Sequence, residues 1–148
     1  MGWITDLQGK TVGVDTSPFI YFIEKHARYA SVLRPFFEAV DRGEIQVVTS
    51  AVTLLELLVH PIRRGDEALA HQYNDILLSS PNIATISVTP AVAQTAAELR
   101  AQHNLKTPDA IQLATATDQR AAVFLTSDRD FPRVGDTEVL RLQDLAAF

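Results

Sequence analysis

The chain has no cysteine, which excludes disulfides, zinc–thiolate centres and thiol nucleophiles. No apolar run approaches the roughly 20 residues of a membrane-spanning helix. The four histidines, His26, His60, His71 and His103, fall at no metal-ligand spacing such as H-x-x-x-H. The start, Met1-Gly2-Trp3-Ile4-Thr5-Asp6, lacks the positive flank and apolar stretch of a secretion signal, so the expected location is cytoplasmic. A phosphate-binding loop is missing too. Gly9-Lys10-Thr11 has the form of such a loop's tail, but the glycine it needs at position 4 is replaced by Ile4. Repeats, low-complexity tracts and linkers are absent, and 148 residues with 47% hydrophobic and 21% charged side chains predict one soluble domain spanning 1–148. Positive charge is in deficit: the net charge is −5, which argues weakly against a nucleic-acid partner.

Within that chain, four carboxylates stand where packing or ordinary solvation explains them poorly. Asp15 closes the run Thr11-Val12-Gly13-Val14, and Glu56 sits inside Leu54-Leu55-Glu56-Leu57-Leu58. Asp109 lies in Lys106-Thr107-Pro108-Asp109-Ala110, and Asp128 follows Val123-Phe124-Leu125-Thr126. An acid among apolar side chains loses hydration, and a buried charge must be paired or bound to metal. Few cations are at hand in these segments. A hard divalent cation such as Mg²⁺ or Mn²⁺, which prefers oxygen ligands, accounts for all four at once. Setting those four acids aside brings the net charge to −1, so global charge does not decide whether the partner is a nucleic acid.

Short β-branched runs alternate with helical patterns, which predicts an α/β fold with a mostly parallel sheet. Strands are expected at Thr11–Asp15, Gln46–Thr49, Ile83–Ile86, Ala122–Thr126 and, as an edge, Val139–Leu142. Ser17 is expected to cap a helix with Pro18 at its first position, continuing to Lys25. Further helices are expected over Ser31–Asp41, from Ser50 to a stop at Pro61, over Asp66–Ser79, over Pro90–His103, and from Thr107 to about Arg120. On that scaffold Asp15 and Asp128 lie at strand carboxyl ends and Asp109 lies in a helix's first turn. Glu56 lies about 9 Å along its helix, within reach of the same rim. Open α/β sheets bind ligands at that rim.

Plainer roles compete for each acid singly. Asp109 suits a helix N-terminus capped by Thr107; Asp15 and Asp128 suit turns. Glu56 resists such a reading, because apolar residues at 52, 55, 57, 58 and 59 leave little room for a water-facing stripe. Thr16 and Thr126 suit either turns or the orientation of a water or phosphate oxygen. Arg63, Arg64, Lys106, Arg129 and Arg133 are candidates for backbone contacts with a nucleic acid, no more than two of them being expected to serve. The run Pro18-Phe19-Ile20-Tyr21-Phe22-Ile23, with Phe36 and Phe37, reads as a subunit or partner surface.

Four pieces of the chain resemble, in order, the motifs of the PIN-domain nucleases and in particular the VapC-like toxins. They are Val14-Asp15-Thr16-Ser17, Thr53-Leu54-Leu55-Glu56-Leu57-Leu58, Thr107-Pro108-Asp109-Ala110-Ile111-Gln112-Leu113-Ala114 and Leu125-Thr126-Ser127-Asp128-Arg129-Asp130-Phe131. The resemblance implies a three-layer fold whose central sheet has the order 3-2-1-4-5, flanked by helices. It also implies Mg²⁺ or Mn²⁺ held by Asp15, Glu56, Asp109 and Asp128, hydrolysis of RNA to a 5′-phosphate and a 3′-hydroxyl, a homodimer, and a cognate antitoxin. Asp130 is an alternative or additional ligand beside Asp128. A catalytically inactive PIN-like module that binds RNA or protein is the competing function. A phosphoaspartate phosphatase is disfavoured by Ser17, where a second Asp is needed. A receiver module is disfavoured because the third strand ends in Ser87-Val88-Thr89 without an acid and no lysine follows Lys106.

Overall fold

The β-branched runs form five strands in a computed structural model that describes residues 2–145. They are β1 (Thr11–Val14), β2 (Gln46–Ser50), β3 (Ile83–Ile86), β4 (Val123–Thr126) and β5 (Glu138–Arg141). The sheet order is β3-β2-β1-β4-β5, and every pairing is parallel. The expected order and edge strand are therefore present. Two short helices that the sequence reading did not expect, α1 (Trp3–Asp6) and α8 (Leu142–Leu145), flank the array. Between them run α2 (Thr16–Ile23), α3 (Ala30–Asp41), α4 (Ala51–Arg64), α5 (Glu67–Ser79), α6 (Pro90–His103) and α7 (Thr107–Asp118). Among the described residues no helix is long and apolar enough to cross a membrane.

Strand side chains alternate between faces, and the buried residues sort accordingly. Val12, Val14, Val47, Val123 and Leu125 join Leu33, Phe36, Val40, Leu57 and Tyr73 in one core. Val48 and Phe124 face the other way, into a second core with Val92, Leu99, Ala110, Leu113 and Ala116. Helices thus cover both faces, giving three layers. The second layer sits close: a Cβ added to Gly13 in β1 would come within 2.6 Å of the Ala116 Cβ. Only a residue without a side chain lets α7 approach β1 so nearly.

Several boundaries differ from expectation. Helix α2 begins at Thr16, and its N-cap is Asp15, not Ser17; the carboxylate accepts from the Thr16 amide at 2.8 Å and outcompetes the serine. Pro61 does not end α4. Its ring is buried, the helix continues to Arg64, and Gly65 closes it in the left-handed conformation at φ 71°. Lys106, without a side-chain cap, precedes α7 in place of Thr107. Ser50 caps α4 as expected, accepting from the Val52 amide, and Thr89, for which no cap role was expected, caps α6 by accepting from the Val92 amide.

The apolar run expected as a partner surface is buried in part, with Ile20, Tyr21, Phe22 and Ile23 remaining partly exposed. Phe19, Phe36 and Phe37 are buried, because α3 lies across α2 and the rings interlock, with Phe22 and Phe37 stacked 4.6 Å apart. Pro18 and Phe19 are the buried residues of this helix, and its other apolar side chains pack partly against the core. Exposed apolar side chains occur on α4 instead: Leu55 at 62%, Val59 at 41% and Ile62 at 67%. With Leu58 and Arg63 they line an open groove of about 530 Å³.

Candidate functional site

The carboxyl end of β1 delivers Asp15 to the sheet's rim at 8% exposure. Both of its oxygens are held. Oδ1 accepts from the Thr16 amide at 2.8 Å, and Oδ2 accepts from the Thr126 hydroxyl at 2.7 Å. Those donors favour the charged form, yet burial outweighs them, and Asp109 and Glu56 add like charge. The Asp15 carboxyl is pushed up to about 6.

Thr126 ties the first acid to the fourth. Its hydroxyl, fully buried at the end of β4, also accepts from the Asp128 amide at 3.0 Å. Both bonds of Thr126 lie within the protein, the turn role that was one of its two readings. Asp128 in turn accepts from the Asp130 amide through Oδ1 at 2.8 Å, the Asx-turn that its plainer reading describes. Asp130 is exposed and Asp128 partly buried.

From the other side, Glu56 on α4 reaches the rim as its distance along the helix permits. Its Oε1 accepts from the Thr16 hydroxyl at 2.6 Å and from Gln112 Nε2 at 2.8 Å. Asp109, in the first turn of α7, is half-buried, and its proton affinity is raised by burial first, then by Asp128 and Glu56; Lys106 counteracts this and Asp130 adds to it. Each of the four acids thus acts electrostatically on at least one other. None of them takes part in an ion pair among the described residues, where the pairs are Arg42–Glu44, His71–Asp75 and Arg133–Glu138.

Convergence stops short of contact. Among the described residues no three acidic or histidine side chains stand close enough to form a ready-made metal cage. Like charges keep apart, and Asp15, Glu56 and Asp128 each have at least one oxygen occupied by a protein donor. The donor set is nevertheless all oxygen and anionic, which matches a hard divalent cation and no soft one. Of the basic candidates, Lys106 and Arg129 lie in the acid-bearing segments. Arg63 and Arg64 lie at the far end of α4, and Arg133 faces Glu138 at 3.9 Å.

Of the residues that hold the acids, Thr16 and Thr126 were singled out from the sequence, whereas Gln112, Thr53 and Thr49 were given no role. Gln112 lies three positions after Asp109 on α7, hence on nearly the same face, and that spacing was the available signal. Thr53 and Thr49, whose hydroxyls are 2.9 Å apart, carried no signal beyond their polarity.

Comparison with solved structures returns the same architecture. A VapBC2 complex from Rickettsia felis, bound to a DNA fragment from its promoter, aligns at TM-score 0.67 and 19% identity, over 88% of this chain and 98% of that one. The Mycobacterium tuberculosis VapC20, a sarcin–ricin loop cleaving toxin, aligns at TM-score 0.62 and 19% identity, over 77% of this chain and 86% of that one. FitAB bound to an IR36 DNA fragment aligns at TM-score 0.68 and 15% identity, over 89% and 94%. No curated protein matches the sequence. A PIN domain model does, and because it takes in residues 12–137, from β1 to the threshold of β5, the chain belongs to the PIN domain family.

Proposed function

We propose that the chain is a divalent-metal-dependent endoribonuclease and the toxin of a toxin–antitoxin pair. Asp15 carries the reading. It is a buried carboxyl with two further carboxylates acting on it and no ion-pairing cation among the described residues, an arrangement that costs the fold up to about 3 kcal/mol unless positive charge meets it. PIN domains generally hold divalent metal ions, and Asp15, Glu56, Asp109 and Asp128 would hold one here. When bound, such an ion neutralises the anionic phosphodiester and acidifies water. The chain's own residues do the rest. Thr16 and Thr126 keep Asp15 oriented, the Thr16 hydroxyl and Gln112 keep Glu56 oriented, and Lys106 and Arg129 offer positive charge to the RNA backbone.

RNA is favoured as substrate because the sarcin–ricin loop cleaving toxin shares the fold over 77% of this chain. Cleavage of a mixed RNA pool in Mg²⁺ or Mn²⁺, stopped by EDTA, tests the reading. Asp109→Asn is expected to lower the rate at least about a hundredfold with an unchanged circular dichroism spectrum. Wild-type cleavage by that variant would remove the proposed site, and binding of RNA without any cleavage would favour an inactive module.

The partner half rests on the apolar groove of α4. Structural neighbours were solved as toxin–antitoxin complexes, and an amphipathic antitoxin segment suits an exposed apolar helix face. Co-purification with the product of the neighbouring reading frame checks this, and light scattering checks the homodimer that accompanies it.

A further inference from the structure

Gln112 is 3% exposed on α7, between buried Ala110, Leu113 and Ala114, where an apolar side chain of similar size is the expected occupant. Its Nε2 donates to Glu56 Oε1 at 2.8 Å, to the Thr16 hydroxyl oxygen at 2.8 Å and to the Thr53 hydroxyl oxygen at 3.2 Å. An amide nitrogen has two hydrogens, so one of these three bonds shares its hydrogen with another. The opposite end of the amide fares worse: Oε1 is buried without a partner. Turning the amide over would relieve nothing, because it would set a carbonyl oxygen against the Glu56 carboxylate. The orientation is dictated by that charge.

A buried carbonyl left unpaired costs about 1–3 kcal/mol, and such groups in native proteins cluster where function competes with stability. The rest of the network is built to hold the amide still. Thr53 is fully buried and lies 2.9 Å from the Thr49 hydroxyl, which donates to the Val14 carbonyl at 2.8 Å. Val14 immediately precedes Asp15. Gln112 therefore joins α7 to α4 and, through Thr53 and Thr49, to the strand that carries Asp15.

We infer that Gln112 is a positioning residue, whose amide locks Glu56 Oε1 together with Thr16 and so leaves Oε2 as the Glu56 oxygen offered to a cation. The inference rests on the nuclease reading. It separates Gln112 from the apolar residues around it, which act through packing alone.

The test uses Gln112→Met, which keeps length and loses both amide groups, and Gln112→His, which returns one N–H donor. Melting in EDTA, Mn²⁺ titration calorimetry and cleavage kinetics on single-stranded RNA are measured for both and for wild type. Gln112→Met should melt at or above the wild-type temperature, since the unpaired carbonyl is gone. Its Mn²⁺ affinity and kcat should each fall roughly 10–100-fold with KM for RNA unchanged, and Gln112→His should recover part of both. A Gln112→Met protein with wild-type kcat and Mn²⁺ affinity overturns the inference. So does one whose lost activity matches its lost folded fraction, which is the mark of packing. Failure of the nuclease reading shows separately, as a wild-type arm that cleaves nothing, and it takes this inference with it.

Discussion

At the scale of the residue, Asp15 links stability to pH in a direction opposite to most carboxylates. Its proton is bound more tightly in the folded chain, at about 6, than at the ordinary 3.8. Between those values the folded state holds more protons than the unfolded one, so stability falls as pH rises. The penalty is absent below about pH 4 and complete above about pH 6, and at most it is about 3 kcal/mol. Asp15→Asn should therefore melt progressively higher than the metal-free wild type across that window, while losing cleavage. A constant difference at every pH would show that burial at Asp15 is not what strains the fold. Residues of this kind were half legible. That Asp15 was awkward followed from the apolar run before it, whereas its occupation by Thr126, 111 positions away, is a product of strand order that local pattern does not contain.

Among the elements, α7 is the one whose placement decides the site, since it carries both Asp109 and Gln112. Its height above the sheet is set by Gly13, where a methyl group would meet Ala116 at 2.6 Å and Phe124 at 3.2 Å. Gly13→Ala should cost roughly 1–3 kcal/mol through overpacking and reduce cleavage by lifting α7, measurable as a fall in the urea midpoint together with kcat. Helix α4 shows where reading elements from sequence goes wrong. Its apolar residues at 52, 55, 57, 58 and 59 were read as leaving Glu56 little room for a water-facing stripe. In fact Leu55, Val59 and Ile62 face solvent, because periodicity records which residues are apolar and not what covers them. The same limit applied in reverse to α2, part of whose apolar surplus, Phe19 and Phe22, packs against Phe37 of α3. Pro61 reflects a third limit, since a single missing amide is tolerated when the ring is buried and a left-handed glycine supplies the true stop.

For the molecule as a whole, a mostly parallel sheet with four acidic segments near its carboxyl rim was legible from alternating strands and helices, whereas the order 3-2-1-4-5 came from the resemblance of four motifs to a known family. The degree of closeness was not legible, since repulsion and competing donors act at distances below the resolution of a motif. That repulsion makes a global prediction. Mn²⁺ or Mg²⁺ at about a hundred times its dissociation constant should stabilise the fold by about 2.7 kcal/mol. For a chain of this size that is a rise of roughly 5–10 °C in melting temperature. Asp109→Asn should abolish most of the rise. An equal rise in that variant would place the ion elsewhere. The insertion of β4 beside β1 has one more consequence, for the order of events during synthesis. The first acid emerges early and waits for the hydroxyl that seats it until a further 111 positions have been made. A rim assembled in this manner stays open in any nascent chain that has not yet reached β4.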